Sequence, residues 1–63
     1  MRKLSKKIRL ERAIKEAEER GKTGELKGVD DWIFSIAFHW GFEEDIPAQK
    51  IISEAFLRAF DES

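Results

Sequence analysis

The stretch Val29-Asp30-Asp31-Trp32-Ile33-Phe34-Ser35-Ile36-Ala37-Phe38-His39-Trp40-Gly41-Phe42 decides how this chain is read, because nine of its fourteen residues are apolar. At about 100° per residue, Leu26, Val29, Ile33, Ile36, Ala37 and Trp40 gather within about 80° of one another with Trp32 on the flank, while Phe34 and Phe38 fall at about 140° and 180° from Val29. One core-facing stripe of a helix does not hide that much apolar surface. Two accounts follow. Either the helix is central, sandwiched between two others so that both faces are core, or an aromatic strip, Phe34/Phe38 or the Trp32/Trp40 side, is presented to a partner.

Outward from this stretch, the punctuation predicts helices on both sides. Gly41 supplies a left-handed stop, with Phe42 placed for the apolar contact that accompanies a glycine cap. Glu43, Glu44 and Asp45 read as a loop, and Pro47 suits the first turn of a third helix, where its missing N–H needs no partner. Ala48, Ile51, Ile52, Ala55, Phe56 and Ala59 make that helix's inward face, while Ile46, Leu57 and Phe60 drift away from it, either as a second patch or as the cover of Phe34 and Phe38. Upstream, Gly21-Lys22-Thr23-Gly24 is turn chemistry, and Gly21 is expected to end a first helix that Ser5 caps. A helical turn near Glu25 is expected to precede the main second helix, which starts at about Asp30, with Asp30 and Asp31 complementing the dipole of its first turn. In helix 1, Leu10, Ala13, Ile14 and Ala17 form one thin stripe, and Leu4 and Ile8 lie nearly opposite. Glu11/Lys15, Arg12/Glu16, Lys15/Glu19 and Glu16/Arg20 stand at i,i+4 spacing for ion pairing. No period-two alternation or internal repeat competes. The expected fold is an all-α three-helix bundle over about residues 5–20, 25 or 30 to 40, and 47–60, a single domain over 1–63 with residues 1–4 fraying.

Sixty-three residues make one small domain that must rest on its core, since there is no cysteine to staple it. The apolar runs fall short of the roughly 20 residues that span a bilayer, and no apolar segment follows the charged N-terminus, so the chain reads as soluble and untargeted. The formal charge of -1 conceals a split: residues 1–22 carry nine Lys or Arg against four Glu, and residues 23–63 carry three against nine acids. The simplest use of that opposition is for the N-terminal segment to lie across the acidic remainder. The alternative is a basic arm in which Arg2, Lys3, Lys6, Lys7 and Arg9 contact nucleic acid phosphates. No aromatic residue is interleaved in that arm, and the acidic remainder repels a polyanion. A helix-turn-helix reading fails similarly, because helix 3 offers only Lys50 and Arg58 against Glu54, Asp61 and Glu62.

Catalytic and metal chemistry find little here. His39 alone cannot build a zinc site. Asp30/Asp31 and Glu43/Glu44 are adjacent acids pointing about 100° apart, suited to capping and solvation rather than to acid–base work. Ser35 and His39 share a face at i,i+4 but lack an orienting carboxylate and an oxyanion hole. Expected cofactors and metals are none. The chain reads as a non-enzymatic interaction module whose helix 2 meets a partner protein through Phe34, Phe38, Asp31 and Ser35, or as a self-assembling domain that pairs through helix 2 as a homodimer. Trp40 is expected in the core, with Trp40→Ala costing about 3 to 5 kcal/mol.

With no Cys or Tyr, Lys/Glu pairs at i,i+4, glycine helix stops and one over-apolar helix, the chain resembles an engineered or de novo designed helical miniprotein binder. That resemblance implies a binding role. Its four leucines and the irregular His39-Trp40-Gly41-Phe42 corner depart from the style, and a natural domain redesigned on its surface would reconcile the two.

Overall fold

The computed structural model describes residues 4–62. Arg2 and Lys3 of the basic arm, and three of the four N-terminal residues expected to fray, lie outside them. The described chain is a three-helix bundle, with α1 at Lys6–Lys22, α2 at Val29–His39 and α3 at Ile46–Glu62, and no strand among the described residues.

Each helix begins and ends for a local reason. The Ser5 side chain accepts from the Ile8 N–H at 3.3 Å and caps α1 as expected. Gly21 does not end that helix, contrary to the sequence reading: it is helical and buried, and α1 runs on to Lys22, with Thr23 at the cap and Gly24 taking the positive φ of 74°. A Cβ built on Gly21 would stand 2.5 Å from the Phe56 carbonyl oxygen and 2.9 Å from the Ala59 Cβ. The glycine is there to admit α3, not to turn the chain. No helical turn forms at Glu25; the chain turns at Lys27 and Gly28, whose φ of 71° launches α2 at Val29. At the other end of α2, the Gly41 N–H donates to the Phe38 carbonyl at 3.0 Å and the Phe42 N–H to the Ala37 carbonyl at 2.7 Å. These are the paired bonds of a Schellman motif, and its apolar contact is made by buried Phe42 and Ala37. Asp45, expected to be plain loop, caps α3: its Oδ1 accepts from the Ala48 N–H at 3.1 Å, which places Ile46 and Pro47 in the first turn.

The principal packing joins α1 to α3, and α2 leans chiefly on α3. Lys6 meets Asp45 at 3.1 Å, Glu18 meets Arg58 at 3.6 Å, and Gly21 abuts Ala59, so contacting residues stay about forty positions apart along the whole length of both helices. That constant offset makes α1 and α3 parallel, with α2 running back between them in sequence. Ala13, Ala17 and Gly21, one helical turn apart, are buried on the α1 side; Ala48, Ile52, Ala55, Phe56 and Ala59 are buried on the α3 side. Small residues on both helices permit the close approach. The thin stripe of α1 is therefore a close-packing surface, and it needs few large residues.

Helix α2 is not sandwiched. It contributes buried Val29, Ile36 and Ala37, with Trp32, Ile33 and Trp40 packed partly buried against the core. Three expectations are corrected. Trp40 is half-buried at the end of α2, while Phe42 is the aromatic residue that the corner drives fully inside. Leu26 precedes the helix and is exposed, since without a helical turn at Glu25 nothing carries it onto the inward stripe; Ile51 lies at the edge of the α1/α3 contact and is exposed too.

Two arginines of α1 hold α2 at its ends. The Arg9 guanidinium donates to the Trp40 carbonyl at 2.6 Å and sits 5.1 Å from the centre of the Phe42 ring. Arg20 lies 5.3 Å from the Trp32 ring and donates to the Lys27 carbonyl at 3.3 Å. The Trp40 indole N–H donates to Glu16 at 2.7 Å. Glu16 and Arg20 thus face α2, and among the described residues the expected i,i+4 ion pairs of α1 are not closed; the ion pairs formed run between elements.

Candidate protein-binding face

Arg9 and Arg20 contact α2 from the α1 side, and the Phe34/Phe38 flank of α2 is left without cover. Phe34 is 58% exposed and Phe38 62%, while across the groove Ile46 is 68% and Leu57 50% exposed; Leu26, at the entrance of α2, is 58% exposed. Each is held by regular backbone or by its immediate flank. Phe34 and Phe38 stand one helical turn apart on α2, and Ile46 is fixed by the Asp45 cap. Gln49 donates to the carbonyls of Phe42 at 2.7 Å and Glu43 at 3.0 Å, tying the α2–α3 loop to α3.

Two adjoining open depressions run between the helices. Leu26, Val29, Asp31, Ile33, Phe56 and Leu57 line the first, and Ile33, Phe34, Ile46, Gln49, Lys50 and Ser53 line the second; Asp30, Ile33 and Ser53 are common to both. Of the four residues proposed from the sequence, Phe34 and Asp31 fall in the groove, and Phe38 continues the Phe34 strip beyond it. Ser35 is exposed and lines neither depression. In the sequence Ile46 and Leu57 drift off the inward face of helix 3, either as a second patch or as cover for Phe34 and Phe38; in the structure they do not cover the two phenylalanines, and all four stay exposed.

The polar residues around the bundle make local structure. His39 is exposed and meets Trp40 edge to face, with ring centres 5.1 Å apart. Asp45 has a carboxyl held below its ordinary range, first by the Ala48 N–H and then by Lys6. Among the described residues no cluster of three or more His, Asp or Glu is placed to hold a metal ion, and no helix is long and apolar enough to cross a membrane. Comparison of the chain with protein-family models, with curated proteins and with solved structures finds no match.

Proposed function

We propose that this chain is a non-enzymatic interaction module that presents the α2/α3 face to a partner protein. The carrying observation is the exposure of Phe34 and Phe38 opposite Ile46, on a domain too small to leave large apolar side chains in water without cost. Aromatic rings exposed on a regular helix are suited to act as anchors, because they bring a large contact area and lose little side-chain freedom on binding. The resemblance to designed helical binders supports the same reading.

Denaturation and light scattering test it together. The expected result is a monomer in which Phe34→Ala and Phe38→Ala leave the unfolding transition almost unmoved. Loss of several kcal/mol in both variants would make the rings part of the fold and end the reading. A dimer that survives dilution and dissociates on Phe34→Ala would assign the same face to self-association through helix 2.

A further inference from the structure

We propose that the occupant of the α2/α3 face is an amphipathic helix whose apolar stripe is bordered by lysine and arginine; this rests on the reading of that face as the interface. The argument is one of charge and shape. Helix α2 carries Asp30 and Asp31 and no Lys or Arg, and both acids line the groove. Helix α3 has two cations, Lys50 and Arg58. Arg58 is turned toward α1, where it meets Glu18, so Lys50 is the one cation lining the depressions. Glu54, Asp61 and Glu62 are exposed on the same helix but line neither depression, so the groove's own charge is that of Asp30, Asp31 and Lys50. The chain's positive charge is concentrated in residues 1–22, on the element whose small-residue face is already committed to α3.

A groove between two helices accepts the ridge of a third, and an apolar stripe spaced i, i+3, i+4, i+7 is the complement of that groove. The eleven residues of α2 span about 16 Å, which matches about three turns of a bound helix. A second copy would offer this groove the same lining, two acids against the one cation Lys50, so its border supplies less positive charge than these acids can take up. A basic border on the incoming helix is instead steered and held by these acids.

The test uses two fluorescently labelled synthetic peptides of about 14 residues with identical leucine spacing, one bordered by Lys and Arg and the other by Glu, titrated with the intact chain by anisotropy. At low ionic strength the basic peptide should bind about tenfold or more tightly than the acidic one. The gap should narrow as the Debye length falls from about 30 Å at 0.01 M salt to about 3 Å at 1 M. Phe34→Ala should weaken the basic peptide by about tenfold or more, as removal of a central aromatic anchor does, and Phe38→Ala, beyond the groove, by less. Lys50→Glu should widen the preference, and Asp30→Asn combined with Asp31→Asn should narrow it, with each variant's unfolding curve recorded beside its titration. Equal binding of the two peptides overturns the proposal, as does binding that ignores both phenylalanines. If neither peptide binds, the basic-helix occupant is wrong; a dimer lost on Phe34→Ala would then keep the face as an interface, and a monomer with unmoved stability would leave it without this partner.

Discussion

At Gly21 one methyl group decides how closely two helices approach. In an exposed helix, Gly→Ala is favourable by about 1 kcal/mol, because alanine loses less backbone entropy. Here the added Cβ would stand 2.5 Å from a backbone carbonyl that belongs to another helix and cannot swing aside. Overpacking of this kind costs about 1–3 kcal/mol and outweighs the propensity gain. Gly21→Ala should therefore lower the thermal midpoint, by about 4–8 °C for each kcal/mol in a domain of this size, as read by circular dichroism. The sequence misleads at this residue because glycine as a helix stop and glycine as a close-packing residue look alike until the partner helix is seen. Phe34 and Phe38 behave in the opposite way: each alanine substitution should change stability by under about 0.5 kcal/mol, against about 3–5 kcal/mol for Phe56→Ala in the core, in urea denaturation followed by tryptophan fluorescence.

The elements were legible where local chemistry specifies them and illegible where distant side chains do. Ser5, Gly41 and Phe42 announce their caps within a few residues, and the buried face of α3 follows from its 3.6-residue period except at Ile51. The position of α2 depends instead on Arg9, 31 residues away from its Trp40 acceptor, and no short-range pattern records that bond. Arg9→Ala should cost about 1–2 kcal/mol, the worth of a partly exposed charged hydrogen bond, and should raise amide exchange at the C-terminal end of α2 more than in α1 or α3. Trp40→Phe isolates the neighbouring bond to Glu16 and should cost about 1 kcal/mol. For α3 the vulnerable point is Asp45. Its folded-state pKa is depressed, so its contribution to stability is present above the unfolded-state value near 3.9 and is lost as pH falls through the lower folded-state value. Asp45→Asn should flatten the fall of the unfolding midpoint with pH in that acid window and leave the slope near neutrality unchanged.

For the whole molecule, the decisive fact is that the helices with the most contact, α1 and α3, are those farthest apart in sequence. At 11 residues α2 is too short to be stable alone, and it touches the 17-residue α1 less than either touches α3. A fragment of residues 1–44, which lacks α3, should be largely unfolded by far-UV circular dichroism; substantial helix in it would show that α1 and α2 form a subdomain. The fold class was readable from the chain because three amphipathic segments and their stops admit few other arrangements. Which pair of helices forms the main contact was not, since it turns on small residues whose value lies in what they allow to come near. The parallel course of α1 and α3 also has a mechanical consequence. Tension applied between Lys6 and Glu62 pulls these helices along their common axis in opposite directions, so the contacts of the Ala13-Ala17-Gly21 seam and both ion pairs are loaded together in shear rather than peeled apart one after another.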